Sequence, residues 1–271
     1  MRGCSCRGTA GFAHVSCLAE QAKILVAEAE ENNLGLKVLN ERWKRWHTCG
    51  LCEQHYHGVV ACALGWACWK TYLGRPENDG LRSIAMLQLG NGLHSANQFE
   101  DCLSVQMVEL STMRRIGAPE QNILVMQGNI SCTYQVLGRF EQALSMRRDV
   151  YNGCLKIHGE HHEETITAAG NYAITCINLE RFEEAKSLLR KIMPVSQRVH
   201  GTEHMRTISL REDLARAMLD DRDSSLVEIR EALETLEEIL GVMQRVMGAS
   251  HPETRRVQQH LKAYRDYFRT T

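Results

Sequence analysis

The chain has few of the residues that interrupt helices and no long apolar run. Only 4 prolines and 5 phenylalanines occur among its 271 residues, whereas leucine, alanine, glutamate and arginine are abundant, which favours helices. The formal net charge is −1, so no attraction to nucleic acid or to anionic lipid is expected. The longest apolar stretch, near residues 58–69, is shorter than the roughly 20 residues of a membrane span, so we expect none.

Several patterns that identify enzymes and secreted proteins are also missing. Neither a glycine-rich phosphate loop nor a His-Glu-x-x-His motif occurs, and no nucleophile and base can be paired from the sequence. No charged and then apolar leader precedes the cysteines, and their number, 11, is odd, so a framework of extracellular disulfides is not expected. In a reducing compartment, clustered cysteines first indicate metal ligands. We therefore expect a cytoplasmic protein.

Internal repeats are the strongest organising feature of the sequence. Residues 128–144 and 170–186 align along their whole length, and a weaker copy ends at residues 97–103. A fourth copy, from Leu214 to Ala232, needs about five extra residues in its turn. The first three copies share a phenylalanine at intervals of 41 and 42 residues: Phe99, Phe140 and Phe182.

Each copy is predicted to form two antiparallel helices. Small residues are expected where the two helices cross: Gly90, Ser131, Ala173 and Ala215 on the first helix, and Cys102, Ala143, Ala185 and Ala232 on the second. Apolar residues are expected to fill the layer between the helices: Leu89, Ile130, Tyr172, Leu214, Leu93, Tyr134, Cys176 and Met218. One such pair cannot bury its apolar side alone, so the pairs must stack.

A second periodic motif, Gly-x-x-His-x-x-Thr, lies between the copies. It begins at Gly159, recurs at Gly201 and recurs again at Gly248. The glycine is expected to end one helix and the threonine to cap the next. Because the repeat already accounts for the three histidines, a metal ladder along them is not expected.

Over roughly residues 80–270 these motifs resemble the kinesin-light-chain branch of the tetratricopeptide family. The resemblance implies an all-α, right-handed superhelix of about four repeats, with a concave groove that binds a protein partner or peptide. It also implies peptide binding by Asn129 and Asn171, which precede the apolar residue of the first helix in adjacent copies. A carboxamide both donates and accepts, so it can pair with any peptide backbone. The alternative, that each asparagine bonds to its neighbouring helix, stays open.

The first part of the chain carries paired cysteines and a histidine at metal-ligand spacing. They read Cys4-x-Cys6-x7-His14-x2-Cys17, followed by Cys49-x2-Cys52. Zinc takes four thiolate or imidazole ligands, which close pairs on turns supply two at a time. The order of the pairs resembles the RING-CH zinc finger without its first Cys-x2-Cys pair. This implies one complete Zn²⁺ site, made by Cys4, Cys6, Cys49 and Cys52, and a half-site made by His14 and Cys17.

Two departures from the RING-CH pattern leave two functional hypotheses. The first cysteine pair is absent, as in a truncated chain, and the tryptophan that usually follows the His-x2-Cys pair is missing. The first hypothesis is an adaptor for a RING-type ubiquitin-protein transferase without a covalent intermediate. In that case a ubiquitin-conjugating enzyme is a further partner, and zinc is structural. The second is a non-catalytic scaffold or cargo adaptor with a degenerate finger.

The predicted organisation has three parts. Residues 1–60 are assigned to the partial zinc finger, 61–81 to a connecting helix, and 82–271 to the repeats with a C-terminal capping helix. Within the finger, a three-to-four periodicity predicts one helix from about Cys17 to Leu39. Trp43 and Trp46 are expected to pack on the cysteine turn, with contact to a carrier enzyme as the alternative.

Overall fold

The computed structural model describes residues 13–270, which form helices joined by short turns. The chain divides into two compact units, Met1–Arg139 and Phe140–Thr271. The first unit contains α1 (Val15–Glu31), α2 (Gly35–Trp43), α3 (Gly58–Tyr72), α4 (Gly80–Ser95), α5 (Phe99–Arg115) and α6 (Glu120–Val136). The second contains α7 (Phe140–His158), α8 (Glu163–Asn178), α9 (Phe182–His200), α10 (Met205–Asp220), α11 (Leu226–Met247) and α12 (Pro252–Thr270).

The all-helical prediction is confirmed for the described residues. They contain no strand, and an isolated bridge between Thr48 and His55 is the nearest approach to a sheet. The longer turn expected in the fourth copy lies between α10 and α11, where Ser225 and Glu228 form a capping box. No helix between residues 13 and 270 has both the length and the apolar character required to cross a bilayer.

Three of the repeat turns share the same backbone conformation. Two residues before each recurring phenylalanine, the chain enters the left-handed region: Asn97 at φ 60°, Gly138 at 72° and Glu180 at 58°. The following residue then donates its backbone N–H, at 2.9 Å, to the carbonyl five residues earlier. This bond ends the first helix and aims the chain into the second. Glycine occupies only one of these three positions. Asparagine tolerates the left-handed region, and the hydrogen bond that closes the turn keeps Glu180 in it.

The residues predicted to lie at helix crossings and between the helices are all buried. Those at the crossings are small, so the backbones can come close. Ala173 and Ala185, for example, are both 0% exposed in the pair α8 and α9. The repeated sequence pattern therefore places the core correctly.

In the motif between the repeats, the histidine caps the helix that follows, so the predicted threonine cap is wrong. His162, His204 and His251 each accept through Nδ1, at 3.2 Å, from the backbone N–H two residues later. The threonines occupy the third position of their helices and are 0% exposed. The histidine directly precedes each helix, so its side chain is the one placed to accept from a free N–H group of the first turn. The threonine lies inside the helix and is buried.

The single helix predicted from about Cys17 to Leu39 is broken into α1 and α2. Asn33 adopts φ 49°, and the Leu34 N–H returns to the carbonyl of Ala29 at 3.0 Å. The amide of Asn32 also donates to the carbonyl of Glu28 at 2.8 Å. Two consecutive asparagines thus end the helix where the apolar periodicity alone would continue it.

The two tryptophans after α2 pack into the helical core. The Trp43 and Trp46 ring centroids lie 5.3 and 6.2 Å from that of Tyr72, and both rings join Ala22 and Val26 in one cluster. Trp46 is 1% exposed. These rings therefore pack on α1 and α3, a contact that the sequence analysis did not predict. Their burial also rules them out as a surface for a carrier enzyme.

Helices α3 and α4 meet through glycines. A Cβ atom on Gly92 would lie 2.6 Å from the carbonyl oxygen of Ala61 and 3.0 Å from the Cα atom of Cys62. A Cβ atom on Gly65 would lie 3.0 Å from the carbonyl oxygen of Gln88. The segment before the repeats therefore packs directly on the first repeat helix.

We expect Gly92→Ala to destabilise the protein by about 1–3 kcal/mol, because its methyl group would force α3 and α4 apart. Gly128→Ala is the matched control: it is also mid-helix, and its Cβ would meet nothing within 4 Å. That variant should gain about 0.5–1 kcal/mol from helix propensity. Urea unfolding of both variants measures the difference. Equal effects would show that the α3–α4 contact is not tight.

Candidate functional site

The cysteine pair near residue 50 lies on a tight hairpin. The Tyr56 N–H donates to the carbonyl of His47 at 2.8 Å, and the Cys49 N–H donates to the carbonyl of Gln54 at 2.9 Å. The second bond closes the turn Cys49-Gly-Leu-Cys52, and the Glu53 N–H donates to the carbonyl of Cys49 at 3.0 Å. The hairpin therefore carries both thiols on a single turn.

Two details of this turn suit a metal-binding thiolate pair. The Leu51 N–H points at the sulphur of Cys49 with an N···Sγ distance of 3.5 Å, so the backbone supports negative charge on that sulphur. Glu53, directly after the pair, adopts φ 56°, a conformation uncommon for a residue with a side chain. Cys49 is buried and Cys52 is half-buried.

The other predicted zinc ligands precede the hairpin in the chain. Cys4 and Cys6 lie outside the described residues. His14 and Cys17 lie at the start of α1, both exposed, with 3.9 Å between Nδ1 and Sγ. The four-ligand site and the half-site therefore stay predictions.

A cleft of about 490 Å³ opens beside the hairpin in the first unit. It is lined by Trp43, His47, His55, Tyr56, Ala61, Ile84, Leu87, Gln88, Asn91, Gly92 and Ser95. The His47 and His55 rings stack with 5.2 Å between centroids and 3.3 Å between their Nδ1 atoms. Burial, together with His55 and Lys44, lowers the pKa of His47, so this ring favours its neutral form. His47 and His55 come together because the hairpin pairs the two chain segments that carry them.

The two predicted peptide-binding asparagines both reach solvent. Asn171 on α8 is exposed, and Asn129 on α6 is half-buried. The backbone carbonyl of Asn171 accepts from Arg147 at 2.6 Å and that of Asn129 from Thr133 at 3.2 Å. Gln88 on α4 holds the equivalent position and lines the cleft.

The equivalent residue on α10 is Asp213, a half-buried carboxyl. Burial raises the pKa of Asp213 to about 7, against the opposing effect of Arg216. In the unfolded chain this carboxyl has an ordinary pKa near 3.8. The folded state therefore holds the proton more tightly, so stability falls as pH rises from about 4 to 7.

We expect Asp213→Asn, which installs the residue found on α6 and α8, to remove this pH dependence. At pH 8 its melting temperature should be several degrees above that of the parent, with about 4 kcal/mol as the upper bound for a pKa difference of this size, and below pH 4 the two should match. Thermal melts across this pH range provide the measurement, with the exposed Asp149→Asn as control. If the melting temperatures of Asp213→Asn and the parent changed in parallel with pH, Asp213 would not be the source of the pH dependence.

Comparison with known proteins assigns the repeats. Residues 122–195 match the family model of the tetratricopeptide repeat. This confirms the repeat prediction over that stretch. Neither this match nor the described residues show a RING-CH finger. Among curated protein sequences, none matches the chain.

Two similar solved structures are of a Podosopora anserina protein assigned as a kinesin light chain with nearly identical TPR-like repeats. One has a TM-score of 0.59 at 15% identity and covers 86% of this chain and 98% of the other. A form of the same protein with one substitution has a TM-score of 0.58 at 16% identity and covers 87% and 99%. At these identities the likeness establishes the fold alone. Residues 13–270 are therefore all-helical, with tetratricopeptide repeats over residues 122–195 and a fold similar to that of this Podosopora anserina protein.

Proposed function

We propose that this chain is a protein-interaction adaptor that binds a partner protein through the first helices of its repeats. The observation that carries the proposal is a recurring amide position. Gln88 lines the 490 Å³ cleft, and at the same repeat position Asn171 is exposed and Asn129 is half-buried. Each carboxamide can donate to and accept from a peptide backbone, whatever the peptide sequence. A cytoplasmic location forms part of this proposal.

The alternative role for these asparagines was a bond to a neighbouring helix. Their side chains make no hydrogen bond among the described residues, and only their backbone carbonyls are used. A structural carboxamide would be sealed and satisfied. This geometry favours contact with a partner for Asn129 and Asn171.

We expect Asn171→Ala to weaken binding of a peptide selected from a random displayed library by about threefold to tenfold. This is the effect of losing one hydrogen bond, about 0.5–1.5 kcal/mol. Asn152→Ala, an exposed asparagine on the second helix α7, is the matched control and should leave affinity unchanged. Fluorescence anisotropy with the labelled peptide gives the affinities, and thermal melts confirm that both variants fold. Equal affinities for Asn171→Ala and the parent would remove Asn171 from the binding surface.

The cysteine hairpin supports a second, finer proposal: that the chain binds structural zinc. Cys49 and Cys52 would supply two thiolates, and Cys4 and Cys6 would supply the other two. Zinc held this way contributes to folding and performs no chemistry. In the ubiquitin hypothesis the site would help position a ubiquitin-conjugating enzyme. An autoubiquitination assay addresses that hypothesis: activity that vanishes in Cys52→Ser supports it, and the absence of activity in the parent refutes it.

We expect the chain to bind Co²⁺, a spectroscopic substitute for zinc, with thiolate-to-metal charge-transfer absorption in the near ultraviolet. Cys52→Ser should lose most of this absorption, because zinc-type sites hold the metal through deprotonated sulphur. Cys132→Ser, at an exposed cysteine on α6, should keep it. A parent chain without charge-transfer absorption would exclude the thiolate site.

A further inference from the structure

A cluster of three potential metal ligands lies in the turn between α7 and α8. His158 is the last residue of α7, His162 caps α8, and Glu164 is the second residue of α8. One ligand atom from each lies within 4.8 Å of the other two. The shielded Nε2 atom of His158 lies 2.9 Å from Oε2 of Glu164, and the His158 side chain is only 14% exposed. The His162 ring stacks on it with 4.4 Å between centroids.

The two later repeat turns each lack one member of this set. The second turn keeps the stacked pair His200 and His204, 4.8 Å between centroids, but has Arg206 in place of the glutamate. The third keeps the capping histidine and the glutamate but has a methionine in place of the first histidine: Met247, His251 and Glu253. Because all three turns share the same cap, the fold alone does not require the full set.

The charges around the first turn also favour a cation. Residues 159–164 include three glutamates and no basic side chain other than histidine, whereas residues 201–206 have one glutamate and one arginine. His158 stands at the carboxyl end of α7, where the helix dipole favours positive charge. The dipole of α8 disfavours positive charge at its amino end, and the carboxylate of Glu164 offsets this effect.

We propose that His158, His162 and Glu164 form a binding site for Zn²⁺ or a similar divalent transition ion. Two imidazole nitrogens and one carboxylate are a donor set that zinc accepts, and water completes the coordination. Mg²⁺ and Ca²⁺ prefer oxygen ligands, so a site with two imidazole nitrogens selects against them. The ligands are His158 Nε2, His162 Nδ1 and a Glu164 oxygen. Unlike a ladder of capping histidines, these donors all belong to one turn.

Binding requires a small, defined rearrangement. A metal ion lies in the plane of each imidazole that binds it, whereas the two rings here are nearly parallel, with an interplanar angle of 18°. His162 is the exposed ring, so it is the one that turns. Its Nδ1 lone pair now caps α8, so it can serve either the helix or the ion. The nitrogen of His158 and the oxygen of Glu164 need to separate only slightly, to about 3.3 Å for tetrahedral bonds of ordinary length.

The ion would join the end of α7 to the start of α8. These helices belong to successive repeats and lie in the same compact unit. A ligand that binds only the folded chain stabilises it by mass action. Metal binding should therefore raise the melting temperature of the second unit.

The test uses as parent the full chain with Cys4, Cys6, Cys17, Cys49 and Cys52 each replaced by serine, so that no proposed thiolate ligand can contribute. Calorimetric titration with ZnCl₂ should show one binding event in this parent. Glu164→Arg and His158→Met copy residues that the second and third turns already carry, so both variants should fold, and both should lose the event. Arg206→Glu completes the set in the second turn and should raise the stoichiometry from one to two.

Melting temperatures provide the second measurement. Zinc should raise the melting temperature of the parent and of Arg206→Glu but not that of Glu164→Arg. No binding in the parent, or the same stoichiometry in all four proteins, would overturn the site. The latter result would assign the zinc to scattered surface histidines.

Discussion

Close approach of helix backbones at small side chains is the constraint on which the fold depends. Within the first unit, α3 and α4 meet at Gly65 and Gly92, where a Cβ atom would touch the opposite backbone. Within the second, Ala173 and Ala185 are sealed between α8 and α9. Close packing lets the apolar layer bury fully, which is the main favourable contribution to folding. The outward positions of the first helices are then released from packing and can carry polar groups.

The repeats were predictable because their residues do the same physical work in each copy. The spacing of Phe99, Phe140 and Phe182 gave the turns, and the small and apolar residues gave the core. The caps were harder to predict. A threonine is a common helix cap, but the sequence does not show that His162 already occupies the open N–H groups.

The region before the repeats was predicted less well, since its structure depends on contacts that spacing cannot show. Paired cysteines suggested a separate finger, yet Trp43 and Trp46 tie the adjoining segment to α1 and α3. The break at Asn33 also required knowledge of its backbone conformation. The hairpin at Cys49 and Cys52 has local geometry suited to metal, whereas the partners named for it lie outside residues 13–270. Candidate chemistry thus lies in turns, where one substitution changes the available donors and leaves the helical frame intact.

The distribution of tryptophan gives this protein a built-in optical reporter. All four tryptophans lie between residues 43 and 69, in the first compact unit, and the second unit has none. Intrinsic tryptophan fluorescence therefore follows the unfolding of one unit, whereas far-ultraviolet circular dichroism follows the helices of both. Coincident transitions by the two methods would mean that the units unfold together, and separate transitions would mean that each is a cooperative body of its own.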